Sequence, residues 1–388
     1  MRLLFLTFYY EPDLCAGSFR AGSLVKSLLG LISDGDTIEV VTTLPNRYAT
    51  YQVETSGIEQ QGNLIIKRIK IPSHKSGFFD QSVSFFKYFM DALFYVSNRK
   101  YDIVFATSSR LFTGFLGAII ARQKKIPLYL DIRDIFIDTL KSLFFKSKLK
   151  LFLPLLNLIE QFTLKNATKI NLVSEGFLSY FSNKYKKQFT LFSNGIDDEF
   201  LNFKGPLNPI MKDDELVLTY TGNIGEGQGL EKIVPKIAKR FRNIEFVIIG
   251  DGGRKASLIR ACYELDNVKI LPPVSRKEII KIYDKTDMLF LHLNDYEAFK
   301  KVLPSKIFEY GATFKPIIAG VDGYSKEFIE RYLTDSMIFK PCDFEDFCRK
   351  YNSFEGFVNV QSRKDFIGKF SREGIMQEMA KDILTLKI

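Results

Sequence analysis

The stretch LVLTYTGNIGEGQGLEKIVPKIAKRF, residues 216–241, indicates how this chain folds. Its first five residues are mainly apolar, β-branched or aromatic, as in a buried strand. Glycines then crowd the segment Gly222–Gly229. From Leu230 onward apolar residues recur at spacings of three and four, which is typical of a helix packed on a sheet. A strand, a glycine loop and a helix in this order predict one unit of a parallel α/β sheet.

The same order of strand, loop and helix recurs on both sides of this stretch. Strands are predicted at Arg2–Phe8, Ile38–Thr42, Tyr101–Thr107, Pro127–Ile132, Lys169–Ser174, Leu216–Tyr220, Ile244–Gly250, Val268–Leu271, Met288–Leu293 and Pro316–Gly320, with an edge strand at Asn63–Ile71. Such alternation predicts an α/β fold with doubly wound parallel sheets. The length of 388 residues allows about two domains. The segment Asn202–Glu215 has Gly and Pro without periodicity and is the best linker between them.

Composition limits the classes of partner. The chain has 55 Lys and Arg against 45 Asp and Glu, a net charge of +10, which favours anionic ligands or anionic lipid. No helix-turn-helix, zinc-finger or RRM pattern is present, so nucleic acid is a weak third choice. The four cysteines lack metal-ligand spacing, which fits a reduced cytoplasmic setting. Asp34-Gly35-Asp36 resembles a metal-binding DxD, but a turn is the stronger reading.

The stretch LPSKIFEYGA, residues 303–312, has the features of an anion site. Pro304 and Ser305 suit the start of a helix, where free backbone N–H groups favour an anion. Lys306 adds a positive charge, and Glu309 lies one turn further along the same face. A carboxylate in this position could accept hydrogen bonds from ribose hydroxyls. An ordinary solvated Lys306–Glu309 pair is the alternative reading.

Two further glycine loops follow predicted strands. The segments Thr221–Gly229 and Gly250–Arg254 can present backbone N–H groups to a diphosphate, and Arg254 can reach a phosphate. Neither loop is G-x-G-x-x-G or a Walker sequence, which disfavours a nicotinamide dehydrogenase or a P-loop ATPase. The first strand–helix loop carries Gly17 and Arg20, although a plain connecting loop is also possible.

A basic and apolar segment lies in the first half of the chain. Lysines alternate with Phe and Leu from Lys141 to Leu156. Such a segment can lie on anionic lipid, or it can form a core helix with a lysine face, and the sequence leaves both readings open.

Taken together, these segments resemble the retaining glycosyltransferases of family 4, which have the GT-B fold, and within them the WbuB-like transferases of O-antigen and capsule assembly. The matching segments are Phe8–Pro12 with Ala16–Ser18 and Arg20, Asp131–Asp134, Glu160–Ser174, Ser193–Asp197, Tyr220–Gly225 with Gln228–Leu230, Gly250–Gly252 and Pro304–Tyr310. The chain departs from the family where Asn223 and Gln228 replace Arg and Lys, and where Lys301 replaces the first acid of E-x7-E. Phe136 and Ile137 stand where the narrower group has Trp-Pro.

The resemblance implies two Rossmann-like domains facing a cleft. It implies an acceptor-binding domain over residues 1–204 and a nucleotide-sugar-binding domain over 205–365, with a C-terminal helix at 366–388 returning to the first domain. The implied reaction transfers a sugar from a nucleotide-diphosphate sugar, with UDP as the expected nucleotide, to a lipid-linked or saccharide acceptor. Retention at the anomeric carbon is implied, with no metal and no cofactor beyond the donor itself. The expected location is the cytoplasm, and the basic and apolar segment leaves peripheral association with the inner face of the membrane open.

The resemblance also implies roles for single residues. Lys306 and Arg254 would neutralise the leaving diphosphate and so act catalytically. The donor would be held by Gly222, Asn223, Gly225, Arg254, Pro304, Ser305, Lys306 and Glu309, and the acceptor by Gly17, Ser18, Arg20 and Arg133. Two alternatives stay open: a GT-B-type nucleotide-sugar 2-epimerase, and a non-catalytic protein that binds nucleotide sugar or lipid.

Overall fold

The computed structural model describes residues 1–46, 55–72, 78–108, 111–143, 152–201 and 215–387, which form two compact units. Unit 1 comprises Met1–Asn194 together with Arg372–Ile388, and unit 2 comprises Gly195–Ser371. The units therefore meet along the chain at Asn194–Gly195, upstream of the predicted linker Asn202–Glu215. Residues 202–214 of that linker lie outside the described residues.

Unit 1 is built on an eight-stranded sheet. Its strands are β1 (Arg2–Leu6), β2 (Thr37–Thr43), β3 (Ile58–Gln61), β4 (Leu64–Ile69), β5 (Ile103–Ser108), β6 (Leu128–Ile132), β7 (Lys169–Leu172) and β8 (Phe189–Thr190). They are ordered β3-β4-β2-β1-β5-β6-β7-β8. All pairs are parallel except β3 with β4. The prediction that residues 63–71 form the edge is wrong, since the more polar β3 covers the outer side of β4.

The helices of unit 1 cover both faces of this sheet. They are α1 (Ala16–Leu29), α2 (Phe78–Ser97), α3 (Leu111–Lys124), α4 (Phe136–Leu143), α5 (Leu153–Asn166), α6 (Leu178–Lys184) and α14 (Arg372–Leu384). One core joins α1 and α14 to inward residues such as Phe5, Val40 and Phe105. The alternate sheet residues face α3: a Cβ on Gly117 would lie 2.7 Å from Ala106 Cβ. Because strand side chains alternate between faces, α3 lies on the face opposite α1 and α14.

Unit 2 is built on a six-stranded, wholly parallel sheet. Its strands are β9 (Leu216–Asn223), β10 (Ile244–Asp251), β11 (Val268–Leu271), β12 (Met288–His292), β13 (Ile317–Gly320) and β14 (Met337–Phe339), in the order β11-β10-β9-β12-β13-β14. Its helices are α7 (Leu230–Arg240), α8 (Lys255–Ala261), α9 (Arg276–Asp284), α10 (Lys306–Ala312), α11 (Tyr324–Tyr332), α12 (Phe344–Ser353) and α13 (Val360–Lys369). The quoted stretch 216–241 supplies β9, the glycine loop and α7, as predicted.

The C-terminal segment differs from the single helix expected over residues 366–388. It forms α13 and α14, separated at Phe370, whose ψ of 27° is not helical. The Ile196 N–H donates to the Phe370 carbonyl oxygen at 2.7 Å, and this bond from outside the helix accompanies the break. Phe366 of α13 packs against Gly311 in unit 2, whereas α14 packs on α1 in unit 1. Among the described residues no helix is long and apolar enough to cross a bilayer.

Candidate functional site

The carboxyl end of β9 brings Lys306 onto the glycine loop of unit 2. Gly222 has a φ of 121°, and a Cβ there would lie 2.7 Å from Lys306 Cε and 2.8 Å from Nζ. Glycine is therefore required both by the backbone angle and by the lysine. The ammonium lies 4.8 Å from the centre of the Tyr220 ring, a cation–π distance. Lys306 thus places a fixed positive charge beside the backbone of Gly222.

The second glycine loop closes tightly on the first. Gly250 lies opposite Gly222 in the β9–β10 pairing. Its φ is 155°, and a Cβ there would lie 1.8 Å from the Gly222 carbonyl oxygen. The backbone of Gly222 can lie this close because Gly250 has no side chain. The two loops predicted from the sequence therefore form one surface at the carboxyl ends of neighbouring strands, where ligands of open α/β sheets bind.

The side chain of Gln228 ties the glycine loop to itself. Gln228 Oε1 accepts hydrogen bonds from Asn223 Nδ2 at 2.8 Å and from the Gly225 N–H at 3.2 Å. A ligand bound through the Gly225 N–H would share or displace this bond. In the sequence Gln228 was noted as part of a segment that matches the family and as a departure in charge, without a role in holding the loop. The contact runs from a side chain back to the loop backbone, so spacing alone did not reveal it.

Arg254 is held by acidic side chains. It forms an ion pair with Glu226, and its Nε lies 4.0 Å from Glu231 Oε1. Glu226 also accepts from the Tyr296 hydroxyl at 2.7 Å. Burial alone would raise the pKa of Glu226, but the bonds from Tyr296 and Arg254 outweigh it and lower the pKa. Arg254 is about half exposed, with 45% of its side-chain surface accessible, so a phosphate could share it with Glu226.

Glu309 has a cationic neighbour that the sequence analysis missed. Arg276, the first residue of α9, places Nη2 at 3.6 Å from Glu309 Oε1 and forms an ion pair with Asp197. Burial would lower the pKa of Arg276, but the charges of Glu309 and Asp197 raise it. Arg276 orients the Glu309 carboxylate, which keeps 18% of its side-chain surface accessible. No local pattern links residues so distant in sequence.

The start of α10 differs in detail from the prediction. Ser305 occupies the N-cap position, but its side chain makes no capping hydrogen bond and its backbone is helical. The Ile307 N–H donates to the Pro304 carbonyl oxygen at 3.2 Å, so the turn already begins at Pro304. Pro304 and Ser305 therefore shape the chain ahead of Lys306, and the lysine side chain supplies the charge.

His292 contacts the backbone of the glycine loop from the interior of unit 2. It is fully buried, with Nδ1 at 2.6 Å from the Gln228 carbonyl oxygen. Its Nε2 accepts from the Cys342 N–H at 3.0 Å. A backbone N–H can only donate, so Nε2 carries no proton and Nδ1 donates to Gln228. Burial lowers the pKa of His292 to about 4, which keeps the ring neutral. His74 lies outside the described residues.

In unit 1, Gly17 and Arg133 come together at the start of α1. A Cβ on Gly17 would lie 2.5 Å from Arg133 Nη1. The first turn of α1 has no acidic residue, and the N-cap residue Cys15 makes no side-chain capping bond. Among the described residues, Ser18 Oγ and Arg133 Nε are buried without a hydrogen-bond partner. Burial lowers the pKa of Arg133 to about 10, so the guanidinium stays charged at neutral pH. Helix dipole and arginine both favour an anion here.

Arg20 lies in the interior of unit 1, which differs from the expected position at the cleft. It is 1% exposed and forms two 3.0 Å hydrogen bonds to Asp131. It also donates to the carbonyl oxygens of Phe192 at 2.8 Å and Ser193 at 2.5 Å. Burial would raise the pKa of Asp131, but the charge of Arg20 lowers it. With its donors used inside the unit, Arg20 holds the end of β6 and residues 192–193 rather than a ligand.

The DxD-like sequence forms a turn. Asp36 pairs with the amino group of Met1 and accepts from Lys387 Nζ at 3.2 Å, at the amino end of β2. In the described part of the chain no group of three or more His, Cys, Asp or Glu side chains could hold a metal ion. Of the predicted membrane segment Lys141–Leu156, residues 144–151 lie outside the described residues.

Sequence comparisons relate the second half of the chain to a known family. Residues 208–363 match the family of glycosyl transferases group 1. A protein of Escherichia coli (strain K12) described as a colanic acid biosynthesis glycosyl transferase, WcaI, is 34% identical over 101 residues. This match covers 25% of the present chain and 24% of that protein, so it spans about a quarter of the relative's length.

Structural comparisons extend the likeness over the whole chain. Sucrose-phosphate synthase from Thermosynechococcus elongatus has a TM-score of 0.76 at 13% identity, covering 100% of this chain and 99% of that one. Anabaena Alr3699/HepE, solved with UDP and glucose, has a TM-score of 0.67 at 14% identity with 99% of both chains covered. The lipopolysaccharide biosynthesis glycosyltransferase WaaG has a TM-score of 0.64 at 12% identity, covering 99% and 97%. The chain has the GT-B fold, and residues 208–363 match the family of glycosyl transferases group 1.

Proposed function

We propose that this protein is a retaining glycosyltransferase that moves a sugar from a UDP-sugar to a lipid-linked or saccharide acceptor during synthesis of a surface polysaccharide. The observation that carries the proposal is the position of Lys306 Nζ, beside Gly222 at the carboxyl end of β9. This is where a diphosphate would lie in an open α/β sheet. The group 1 domain and the likeness to proteins solved with UDP support the choice of donor.

Lys306 would stabilise the diphosphate as the bond to the sugar breaks. Charge develops on the leaving phosphate in the transition state, and a preorganised cation beside it lowers the barrier. Arg254 would assist as a second cation, shared with Glu226. Glu309, oriented by Arg276, would accept hydrogen bonds from the ribose hydroxyls.

The start of α1 would hold an anionic part of the acceptor. Because Gly17 has no side chain, the Arg133 guanidinium can lie against the start of α1. Ser18 Oγ and Arg133 Nε lack hydrogen-bond partners, so a bound ligand could form hydrogen bonds with both. Buried polar atoms are seldom left unpaired, so a ligand here would be stabilised. A diphosphate carried by a polyprenyl lipid has the required charge.

Retention and metal independence are part of the proposal. His292 cannot act as a base, because both ring nitrogens are already engaged by backbone groups. A front-side mechanism with retention needs no protein base. NMR of the product should show the donor's anomeric configuration, and EDTA should leave turnover unchanged. Inversion, or loss of turnover in EDTA, would contradict these two points.

The decisive experiment compares lysine variants in a nucleotide-release assay with donor and lipid-linked acceptor. Lys306→Ala should lower kcat by roughly thirty- to a thousand-fold, or about 2–4 kcal/mol, with a smaller change in KM. Lys306→Arg should recover only part, because a planar guanidinium does not replace a compact ammonium. Arg254→Ala should have a smaller effect of the same kind.

Lys269→Ala is the matched control, since Lys269 pairs with Glu245 on the outer strands of the same sheet. It should turn over like the wild type. Wild-type turnover by Lys306→Ala would overturn the leaving-group role. A donor changed into its 2-epimer without acceptor would indicate an epimerase, and donor binding without nucleotide release would indicate a non-catalytic binder. A panel of nucleotide sugars read by thermal shift would identify the donor.

The proposed location is the cytoplasm at the inner face of the membrane, where a lipid-linked acceptor would be met. This proposed location is supported by the alternation of lysine with Phe and Leu from Lys141 to Leu156.

A further inference from the structure

Asn294, two residues after the end of β12, holds the glycine loop from the interior of unit 2. It is 2% exposed, and its backbone N–H donates to the Gly227 carbonyl oxygen at 2.8 Å. Its side-chain Nδ2 donates to the Glu226 carbonyl oxygen, also at 2.8 Å. His292 Nδ1 donates to the carbonyl oxygen that follows, that of Gln228. Three consecutive carbonyl oxygens of the loop are therefore bound to two residues at the carboxyl end of β12.

These hydrogen bonds set the direction of the N–H groups in the loop. Across a trans peptide bond, the C=O of one residue and the N–H of the next point in opposite directions. Because the carbonyls of residues 226–228 point toward β12, the N–H groups of Gly227, Gln228 and Gly229 point away from it. The Gln228 N–H donates to the Gly225 carbonyl oxygen at 3.1 Å, which closes the turn. The peptide planes of the loop are therefore fixed in advance, so an anion bound there would require little reorganisation.

The side-chain amide of Asn294 is held in one orientation. Its Oδ1 accepts from Lys232 Nζ at 2.8 Å and from the Asp295 N–H at 3.0 Å. An ammonium and a backbone N–H can only donate, so the atom that faces them is the oxygen. The amide nitrogen then faces Glu226, whose carbonyl can only accept. The Cys342 thiol, with Sγ 3.4 Å from Oδ1, is a further donor on the oxygen side. The contact between β12 and the loop therefore needs both ends of an amide.

Glu226 passes this constraint on to Arg254. The carbonyl oxygen of Glu226 is bound by Asn294, and its carboxylate accepts from the Tyr296 hydroxyl at 2.7 Å. The same carboxylate forms the ion pair with Arg254. Residues 294–296 thus hold Glu226 at both its backbone and its side chain. Loss of the bond from Asn294 would let Glu226 shift, together with the guanidinium that is paired with it.

We propose that Asn294 is a positioning residue of the donor site, which acts on a nucleoside diphosphate through the glycine loop and Arg254 without touching the ligand. The inference rests on the proposed function and adds to it a residue that supports the binding surface from behind. Asn223 and Gln228 carry no charge, so the loop N–H groups supply more of the attraction for a diphosphate than they would beside charged side chains. The direction of these N–H groups, which Asn294 holds, therefore decides affinity.

The test uses Asn294→Asp, which keeps the shape of the side chain and the oxygen that accepts from Lys232. It replaces the Nδ2 donor by an oxygen that faces the Glu226 carbonyl oxygen. Hydrogen exchange of the peptide covering residues 222–230, measured without ligand, should be faster than in the wild type. Isothermal titration calorimetry should show UDP binding weakened by about tenfold. In turnover, KM for the donor should rise more than kcat falls, because the loop N–H groups hold the diphosphate already in the ground state.

The matched control is Asn267→Asp, which removes the same kind of donor at the opposite end of the sheet. Asn267 Nδ2 donates to the carbonyl oxygens of Ala238, Phe241 and Ile244 at 3.0, 3.3 and 2.9 Å. The control variant should lose stability but bind UDP like the wild type, with unchanged exchange in the glycine loop. Urea unfolding of both asparagine variants checks that each is folded under the conditions of the binding measurement.

Two more variants test the path through Glu226. Asn294→Ala, which loses both polar atoms of the side chain, should bind UDP at least as weakly as Asn294→Asp. In an Arg254→Ala background, Asn294→Asp should weaken UDP binding less than it does alone, because part of its effect passes through Arg254. Additive effects of the two substitutions would contradict this path.

Two results would overturn the positioning role while the proposed function stands. Both Asn294 variants could bind UDP like the wild type, even with faster exchange in the loop. Alternatively, Asn267→Asp could weaken UDP binding as much as Asn294→Asp does, which would mean that lost stability is responsible. Failure of the wild type to bind UDP would instead contradict the proposed UDP-sugar donor, and the positioning role with it.

Discussion

Units 1 and 2 share a parallel-sheet architecture but use charge differently. Unit 1 carries the whole net charge of +10, while unit 2 has as many acids as bases. In unit 2 the cations near the glycine loops have acidic neighbours: Arg254 pairs with Glu226 and Arg276 with Asp197. In unit 1 the exposed cations include Arg122 and Lys165, and Arg20 is matched by Asp131 in the interior.

The difference shows that placement of charge matters more than its amount for a specific site. In a unit without net charge, a basic side chain that is paired with an acid attracts an anion only at close range, where the anion can accept hydrogen bonds from it. A spread-out excess acts over about one Debye length, roughly 8 Å at physiological salt, and suits a broad charged surface. The predictions below test this contrast by removing charges from each unit.

The largest effect is expected for Arg20→Ala in unit 1. It removes the ion-pair partner of the buried Asp131, which keeps hydrogen bonds from Asn171 Nδ2 and Thr107 Oγ1. Because a buried carboxylate without its cation is costly, the free energy of unfolding should fall by about 3–5 kcal/mol. Urea unfolding followed by circular dichroism measures this loss. The double variant Arg20→Met with Asp131→Leu should recover most of it, because an apolar pair removes the buried charge altogether. An Arg20→Ala protein as stable as the wild type would show that the buried pair is not needed.

Acid should destabilise unit 2 through His292. The ring is neutral in the folded state, where its pKa is lowered from 6.5 to about 4 by burial. As pH falls, the unfolded chain takes up a proton on His292 at a higher pH than the folded chain does. The contribution of the neutral ring to the free energy of unfolding is therefore complete above about pH 6.5 and is lost toward pH 4. The loss should reach about 3 kcal/mol. In urea unfolding between these pH values, His292→Gln should be less stable at neutral pH but have a flatter profile. If the free energies of unfolding of the wild type and His292→Gln fell in parallel between these pH values, His292 would not be the group responsible.

A smaller effect is expected for Glu309→Gln. Loss of the carboxylate should weaken UDP binding by about tenfold, or about 1.4 kcal/mol, in isothermal calorimetry. Folding should change little, because Asp197 still holds Arg276. The control is Glu199→Gln, since Glu199 Oε1 lies 4.0 Å from the same arginine but its side chain is 51% exposed. Equal weakening in both variants would mean that the effect acts through Arg276 rather than through the ribose.

The smallest effect on folding is expected for Arg254→Ala in unit 2. Its pair with Glu226 is partly exposed, so the free energy of unfolding should change by less than about 1 kcal/mol. The same urea measurement as for Arg20→Ala makes the comparison direct. If Arg254→Ala lowered the free energy of unfolding as much as Arg20→Ala does, buried and accessible ion pairs would not differ in the way proposed.

The strands were predictable because buried parallel strands have a strong local pattern. Val268–Leu271 was predicted to the residue, and β9 and β12 were predicted to within a few residues. Lys306 and its stretch were predictable because charge, helix start and glycine loop lie close together in sequence. Arg276 was missed because its partners Asp197 and Glu309 are brought to it by the fold.

The buried face of α2 could not be predicted, for a different reason. The aromatic composition of residues 82–96 favours a helix but does not tell which of its faces is buried. Both faces of α2 are apolar, so only the structure separates Phe85, which is buried, from Phe86, which is exposed. The break between α13 and α14 was missed because the Ile196–Phe370 hydrogen bond joins distant parts of the chain.

The discontinuity of unit 1 has a consequence for synthesis on the ribosome. Helix α14, with Met376, Met379 and Ile383, belongs to a core that also contains Phe5 and Val40. All of unit 2 is translated between these parts. At roughly 5–20 residues per second, the nascent sheet of unit 1 waits on the order of ten seconds or more for its last helix. During that interval unit 2 can already fold, while one apolar face of unit 1 is open to chaperones.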